Sequence, residues 1–72
     1  MNPPPLGSLV LYNFGNSKVF GIITNIKTDP QELSYRYPPP IFSIEILETV
    51  GRKAWWDIHE LDLLTDKLQV IQ

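Results

Sequence analysis

The stretch Ile41-Phe42-Ser43-Ile44-Glu45-Ile46-Leu47-Glu48-Thr49-Val50-Gly51-Arg52-Lys53-Ala54-Trp55-Trp56 decides the fold. Phe42, Ile44 and Ile46 share one parity while Ser43 and Glu45 take the other, the period-two signature of a half-buried strand over 41–47. Glu48 to Gly51 turns the chain, and Arg52 to Ile58 is expected to return antiparallel. Successive strand residues point to opposite faces, so Trp55 and Trp56 must lie on different sides of the sheet. One serves the core. The other needs cover, from the long loop that precedes the hairpin or from a second subunit, and the pattern does not say which tryptophan is which.

Upstream, Lys18 to Lys27 is the longest strand candidate. Its apolar residues do not alternate cleanly, because Val19 and Ile23 have one parity and Phe20, Ile22 and Ile26 the other. Apolar residues on both faces imply cover on both sides, or a bend that carries the strand between sheets. Gly21 is the natural place for a bulge or a close backbone approach. Before it, Asn13 to Ser17 is rich in turn formers and reads as a loop. Phe14 within that loop either plugs one end of the fold or faces a ligand. Leu9 to Tyr12 is a short strand, and residues 1–8 form an extended arm in which Pro3-Pro4-Pro5 favours polyproline II.

Thr28 to Pro40 is a long connection with a turn at Asp29-Pro30 and a stiff aromatic–proline half, Tyr35-Arg36-Tyr37-Pro38-Pro39-Pro40. Unstructured loops of this length are uncommon and often functional. Downstream, Asp57 and Glu60 have capping-box spacing. They predict a short helical turn with Ile58, Leu61 and Leu64 toward the core, followed by a strand over 67–71. The competing arrangement is one helix from Ile58 to Leu68.

Seventy-two residues with 43% hydrophobic content make one small domain, read as 9–72 behind the arm. A chain this short buries only about 60% of its unfolded surface, so association is a natural supplement to its core. With no cysteine and one histidine, disulfides and thiolate-bound zinc are excluded and no cofactor is expected. Net charge is −2, distributed as +1 over residues 1–40 and −3 over 41–72. Only Arg52-Lys53 forms an adjacent basic pair, which disfavours nucleic-acid binding. The longest apolar run, Leu9–Tyr12, is far short of the ~20 residues of a membrane span, and the first residues lack a signal-peptide pattern. A soluble protein of the cytoplasm is expected.

The start Leu6-Gly7-Ser8-Leu9-Val10, the Phe20-to-Ile26 strand, the Phe42-to-Ile46 strand, the glycine turn, Trp55-Trp56-Asp57 and Glu60-to-Leu64 together resemble a small SH3-like barrel of the Tudor/KOW kind. The resemblance covers nearly the whole chain and implies an all-β fold of five strands with a helical turn before the last. The chain also resembles short proteins encoded by marine cyanobacterial phages, which implies the host cytoplasm or the virion as its location. It departs from KOW members in lacking their glycine spacing and basic surface.

Three candidate sites follow. Tyr12, Phe14, Tyr35, Tyr37, Trp55 and Trp56 come from segments that an SH3-like barrel brings toward one side. They would form a wall for a polyproline peptide or a cage for a methylated ammonium group, or most of the rings simply pack, since a small domain needs the area that aromatics bury. Arg52 and Lys53 are the candidate nucleic-acid contacts. His59 with Asp57, Glu60 and Asp62 would be a metal or acid–base cluster, but reads more simply as a solvated helix cap. No Ser/His/Asp set, HExxH or phosphate loop occurs, so an enzyme is not expected. The expected function is a non-enzymatic interaction or assembly module. It would self-associate by packing Pro3–Pro5 or Tyr37–Pro40 of one subunit on Trp55 or Trp56 of another.

Overall fold

The alternation of residues 41–47 and the turn at Gly51 produce the central hairpin. In the computed structural model, which describes residues 2–34 and 37–72, Phe42–Glu48 and Lys53–Ile58 pair antiparallel. Gly51 takes φ +87, the left-handed region that a residue without Cβ enters cheaply. Arg52 closes the turn by donating from Nε and Nη2 to the buried Glu48 carboxylate, each at 3.2 Å. That fork raises the Arg52 pKa, through its hydrogen bond to Glu48 and then the attraction of the carboxylate.

In chain order the elements are β1 Leu9–Phe14, β2 Ser17–Lys27, α1 Pro30–Leu33, β3 Phe42–Glu48, β4 Lys53–Ile58, α2 Glu60–Leu64 and β5 Leu68–Val70. The strands form one antiparallel sheet in the order β4-β3-β2-β1-β5. The protein is thus all-β in class, with two single-turn helices among the described residues. β4 and β5 are the two edges of the sheet, which is open rather than closed into a barrel. It nevertheless curls. Tyr12 on β1 and Trp56 on β4 bring their ring centroids to 4.7 Å, although three strand spacings, roughly 14 Å, separate those strands in a flat sheet. The core lies on the inner face of the curl: Val10, Tyr12, Val19, Ile23, Phe42, Ile44, Ile46, Ile58 and Leu68, with Ile26, Trp56 and Leu63 packed against it.

Several elements differ from the sequence expectation, each for an identifiable reason. β1 continues through Phe14, which pairs with Ser17 across a two-residue turn. Gly15 there has φ +60 and Asn16 stays at negative φ, the type II′ pattern whose twist suits a hairpin. The irregular periodicity of β2 resolves at Thr24. The register shifts between Ile23 and Asn25, so Ile26 pairs with Ile44 and packs against the core instead of sharing the outer face with Phe20 and Ile22. The long connection is not without structure. Asp29 Oδ1 accepts from the Gln31 amide at 2.9 Å and Pro30 takes the first turn of α1, leaving Leu33 buried. The cap of α2 lies two residues later than Asp57-to-Glu60 spacing suggested: the His59 amide donates to Asp62 Oδ2 at 3.0 Å. That shift rotates the helix, so Leu63 meets the core while Leu61 and Leu64 face solvent. The single helix over 58–68 does not form, because β5 begins at Leu68.

No helix among the described residues is long and apolar enough to cross a membrane. Gly21 is a point of close backbone approach within the sheet. A Cβ there would overlap the Leu47 carbonyl oxygen and stand 2.7 Å from Ile46 Cγ2. Overpacking against backbone cannot relax by a rotamer change. Gly21→Ala is therefore expected to lower unfolding stability by about 2–3 kcal/mol, read as a reduced urea midpoint with an unchanged slope.

Candidate functional site

The aromatic set divides between two faces and a loop. Tyr12 and Phe14 share a parity on β1, and Trp56 faces them from β4, with ring centroids 4.7 Å and 5.0 Å from Trp56 at tilted angles. Such tilted arrangements suit the ring quadrupoles. Tyr12 is buried, Trp56 half-buried, and Phe14 more than half exposed at the mouth of the curl. Trp56 Nε1 is buried and has no hydrogen-bond partner among the described residues. Lys67 Nζ lies 5.4 Å from the Tyr12 ring centroid and 3.8 Å from Asp62 Oδ1. The position a methylated ammonium group would take on Tyr12 is thus occupied by a lysine of the chain itself. Burial raises the Tyr12 pKa above its ordinary value, and nearby Lys67 partly offsets this.

Trp55 is the outward tryptophan. It is 38% exposed on the outer face, with Lys27 Nζ 4.6 Å above its ring. Tyr37 is almost fully exposed on the long loop. Tyr35 lies outside the described residues. Six residues expected along one wall therefore include three that the structure brings together: Tyr12, Phe14 and Trp56.

The basic pair is also divided. Arg52 is held by Glu48 at the hairpin turn, while Lys53 stands on the outer face of β4 opposite Leu47. His59 connects elements: its Nε2 is 3.0 Å from the Pro38 carbonyl and its amide is held by Asp62. No group of metal-binding side chains exists among the described residues.

A larger feature, absent from the sequence-derived site, covers the outer face. Register places Leu47 beside Ile22 and Ile22 beside Leu9, and the Ile71 amide donates to the Leu9 carbonyl at 2.8 Å. Phe20 and Leu11 pair in the adjoining row. Phe20, Ile22 and Leu47 are 37%, 44% and 36% exposed. A groove lined by Leu6, Leu9, Ile22 and Gln72 extends this surface past the start of β1. α2 is held on the inner side through Leu63, and Phe20, Ile22 and Leu47 stand open although Ser43, further along the same face, is buried. The sequence signal was the double parity of Val19 to Ile26, which announced a second apolar face without locating its partners on β1 and β3.

No protein-family model matches the chain, and no curated protein or solved structure is significantly similar to it.

The two tryptophans should separate energetically. Trp56→Ala, which empties a packed inner position, is expected to cost about 3–5 kcal/mol of unfolding stability, and Trp55→Ala about 1 kcal/mol or less. Because the folded-state pKa of Tyr12 is raised, the unfolded chain loses its phenol proton first. Stability is then complete below the unfolded tyrosine value and falls as pH climbs past about 10. Denaturant titrations from pH 8 to 11 should show this loss, and Tyr12→Phe should diminish it.

Proposed function

We propose that the protein is a non-enzymatic, self-associating assembly module. The observation supporting this reading is the uncovered apolar surface of Leu9, Leu11, Phe20, Ile22 and Leu47. An antiparallel sheet facing water normally alternates apolar-in with polar-out. Here, among the described residues, three central strands carry apolar residues on both faces, and Phe20, Ile22 and Leu47 of the second face stand open to solvent. The open portions of Leu6, Phe20, Ile22, Leu47 and Ile71 amount to roughly 400 Å², at the scale of the largest patch on a typical monomer. A standard interface of about 800 Å² per partner has a little over half its area apolar, so this patch is the right size for the centre of one.

The fold reading that accompanies this proposal is an SH3-like barrel. Its support is the five-strand order with β5 beside β1, the curl that joins Tyr12 to Trp56, and the helical turn before β5. A phage origin and a cytoplasmic or virion location remain part of the proposal, carried by sequence resemblance alone.

A second reading, an SH3-like peptide reader, draws on the inner-face aromatic mouth, where Phe14 is open to solvent beside Trp56. A nucleic-acid role has less support, because Arg52 is engaged by Glu48.

Light scattering at high micromolar concentration is expected to give a mass above the 8.3 kDa monomer. A monomer throughout would overturn the assembly reading. If Trp56 fluorescence then shifted on titration with a polyproline peptide, the reader would take its place.

A further inference from the structure

Besides the outer face, a second apolar surface among the described residues stands open, on the side of the sheet where α2 packs. α2 turns Leu63 to the inner core and presents Leu61 and Leu64 to solvent, 67% and 72% exposed. Ile41, Glu60, Leu63 and Leu64 line a pocket beside them of about 300 Å³. A five-residue helix with two open leucines next to an apolar pocket is as unfinished as the outer face of the sheet. The sheet lies between the two surfaces, so one copy cannot cover one with the other.

Their charges are opposite. The outer face carries Lys18, Lys27 and Lys53 against Glu45 and Asp57, three positive and two negative, or +1. Glu45 already accepts from Thr24 Oγ1 at 2.8 Å, and Asp57 from the Ser43 hydroxyl. Around α2 stand Glu60, Asp62 and Asp66 against Lys67, three negative and one positive, or −2. Lys67 and Asp62 face each other at 3.8 Å, which leaves Glu60 and Asp66 without an ion-pair partner among the described residues. Lys18 and Lys53 are likewise unpaired among the described residues.

We infer that the protein assembles head to tail. The outer sheet face of one copy, centred on Phe20 and Ile22, receives the Leu61–Leu64 surface of α2 from the next. This inference rests on the self-association reading and specifies its geometry. The occupant of the sheet face is a second copy's α2 rather than a second sheet face. Two outer faces would meet with lysines on both sides, whereas the sheet–helix pairing sets lysines against carboxylates. Different patches meet at every contact, so the interface is heterologous, and repetition gives a ring if the rotation closes and a filament if it does not.

The test is complementation between two single variants of the full chain. Ile22→Glu disables the sheet face and leaves α2 intact; Leu64→Glu does the reverse. Both positions are open to solvent, and circular dichroism checks that each variant folds, with Phe20→Glu replacing Ile22→Glu if it does not. Each variant alone is expected to run as an 8.3 kDa monomer in sedimentation velocity. Their equimolar mixture should yield a species of twice that mass and nothing larger, because the remaining sheet and helix surfaces both carry the added glutamate. Three results would overturn the inference. If Ile22→Glu is monomeric while Leu64→Glu stays oligomeric, the sheet faces pair with each other. If both variants keep the wild-type mass, the interface lies elsewhere. If both are monomeric and their mixture stays monomeric, the two surfaces do not meet. A monomeric wild-type chain would instead remove the self-association reading itself, and the arms are separable on that ground.

Discussion

A strand has two faces, and β2 carries apolar residues for both. It is the longest strand and pairs on both edges, with β1 on one side and β3 on the other. Val19 and Ile23 turn inward while Phe20 and Ile22 turn outward. Without the register shift at Thr24, Ile26 would also project outward and the end of the strand would lose its hold on Ile44. The extra residue resets the parity, and it adds local twist where the sheet begins to curl. Gly21 meets the other demand on this strand, letting the Leu47 backbone approach more closely than any side chain would permit. The inner core and the surplus apolar outer face are consequences of the same eleven residues.

The curl depends on packing across it as much as on the strands. Tyr12 reaches Trp56 from β1, and Leu68 on β5 is buried beside Tyr12 through its pairing with β1. The aromatic contact is lateral closure by side chains where the ladder is open. Lys67 then sits over Tyr12 and against Asp62, tying the helix to the ring it shields. An aromatic group that resembles a binding wall in the sequence is, in large part, the material that holds the curl together.

Much of the sheet was legible because its signals are local. Phe42, Ile44 and Ile46 alternate without interruption, and Gly51 marks its turn. Trp55 and Trp56 had to part by the pleat alone. What was missed depends on a choice among similar local options. Asp57 and His59 both precede a carboxylate at capping distance, and the neighbouring β4 strand extends through Ile58, which consumes Asp57 and moves the cap. Asp29-Pro30 reads equally as a turn or as a helix start, and buried Leu33 selects the helix. The bulge at Thr24 has no composition of its own. It arises because β3 needs Ile26 beside Ile44, a constraint that only the partner strand supplies. Which tryptophan faces inward is fixed the same way, by the register of Trp56 with Ile44.

The outer face was visible as an excess and not as a site, since its members come from β1, β2 and β3 and adjoin only once those strands are in register. The leucines of α2 read as core in the sequence for a related reason: Ile58, Leu61 and Leu64 share a helical face only if the helix starts at Asp57. Moving the start to Glu60 leaves Ile58 on the strand, gives Leu63 to the core and turns the other two out. A small chain gains by this arrangement only if something meets those side chains, because exposed leucines add nothing to the stability of a core that buries so modest a fraction of its surface. When the cover is another copy, assembly contributes to folding by mass action, and stability becomes a function of concentration. The physical economy of the fold then lies between molecules, with the surface that β2 cannot hide answered by the surface that α2 cannot use.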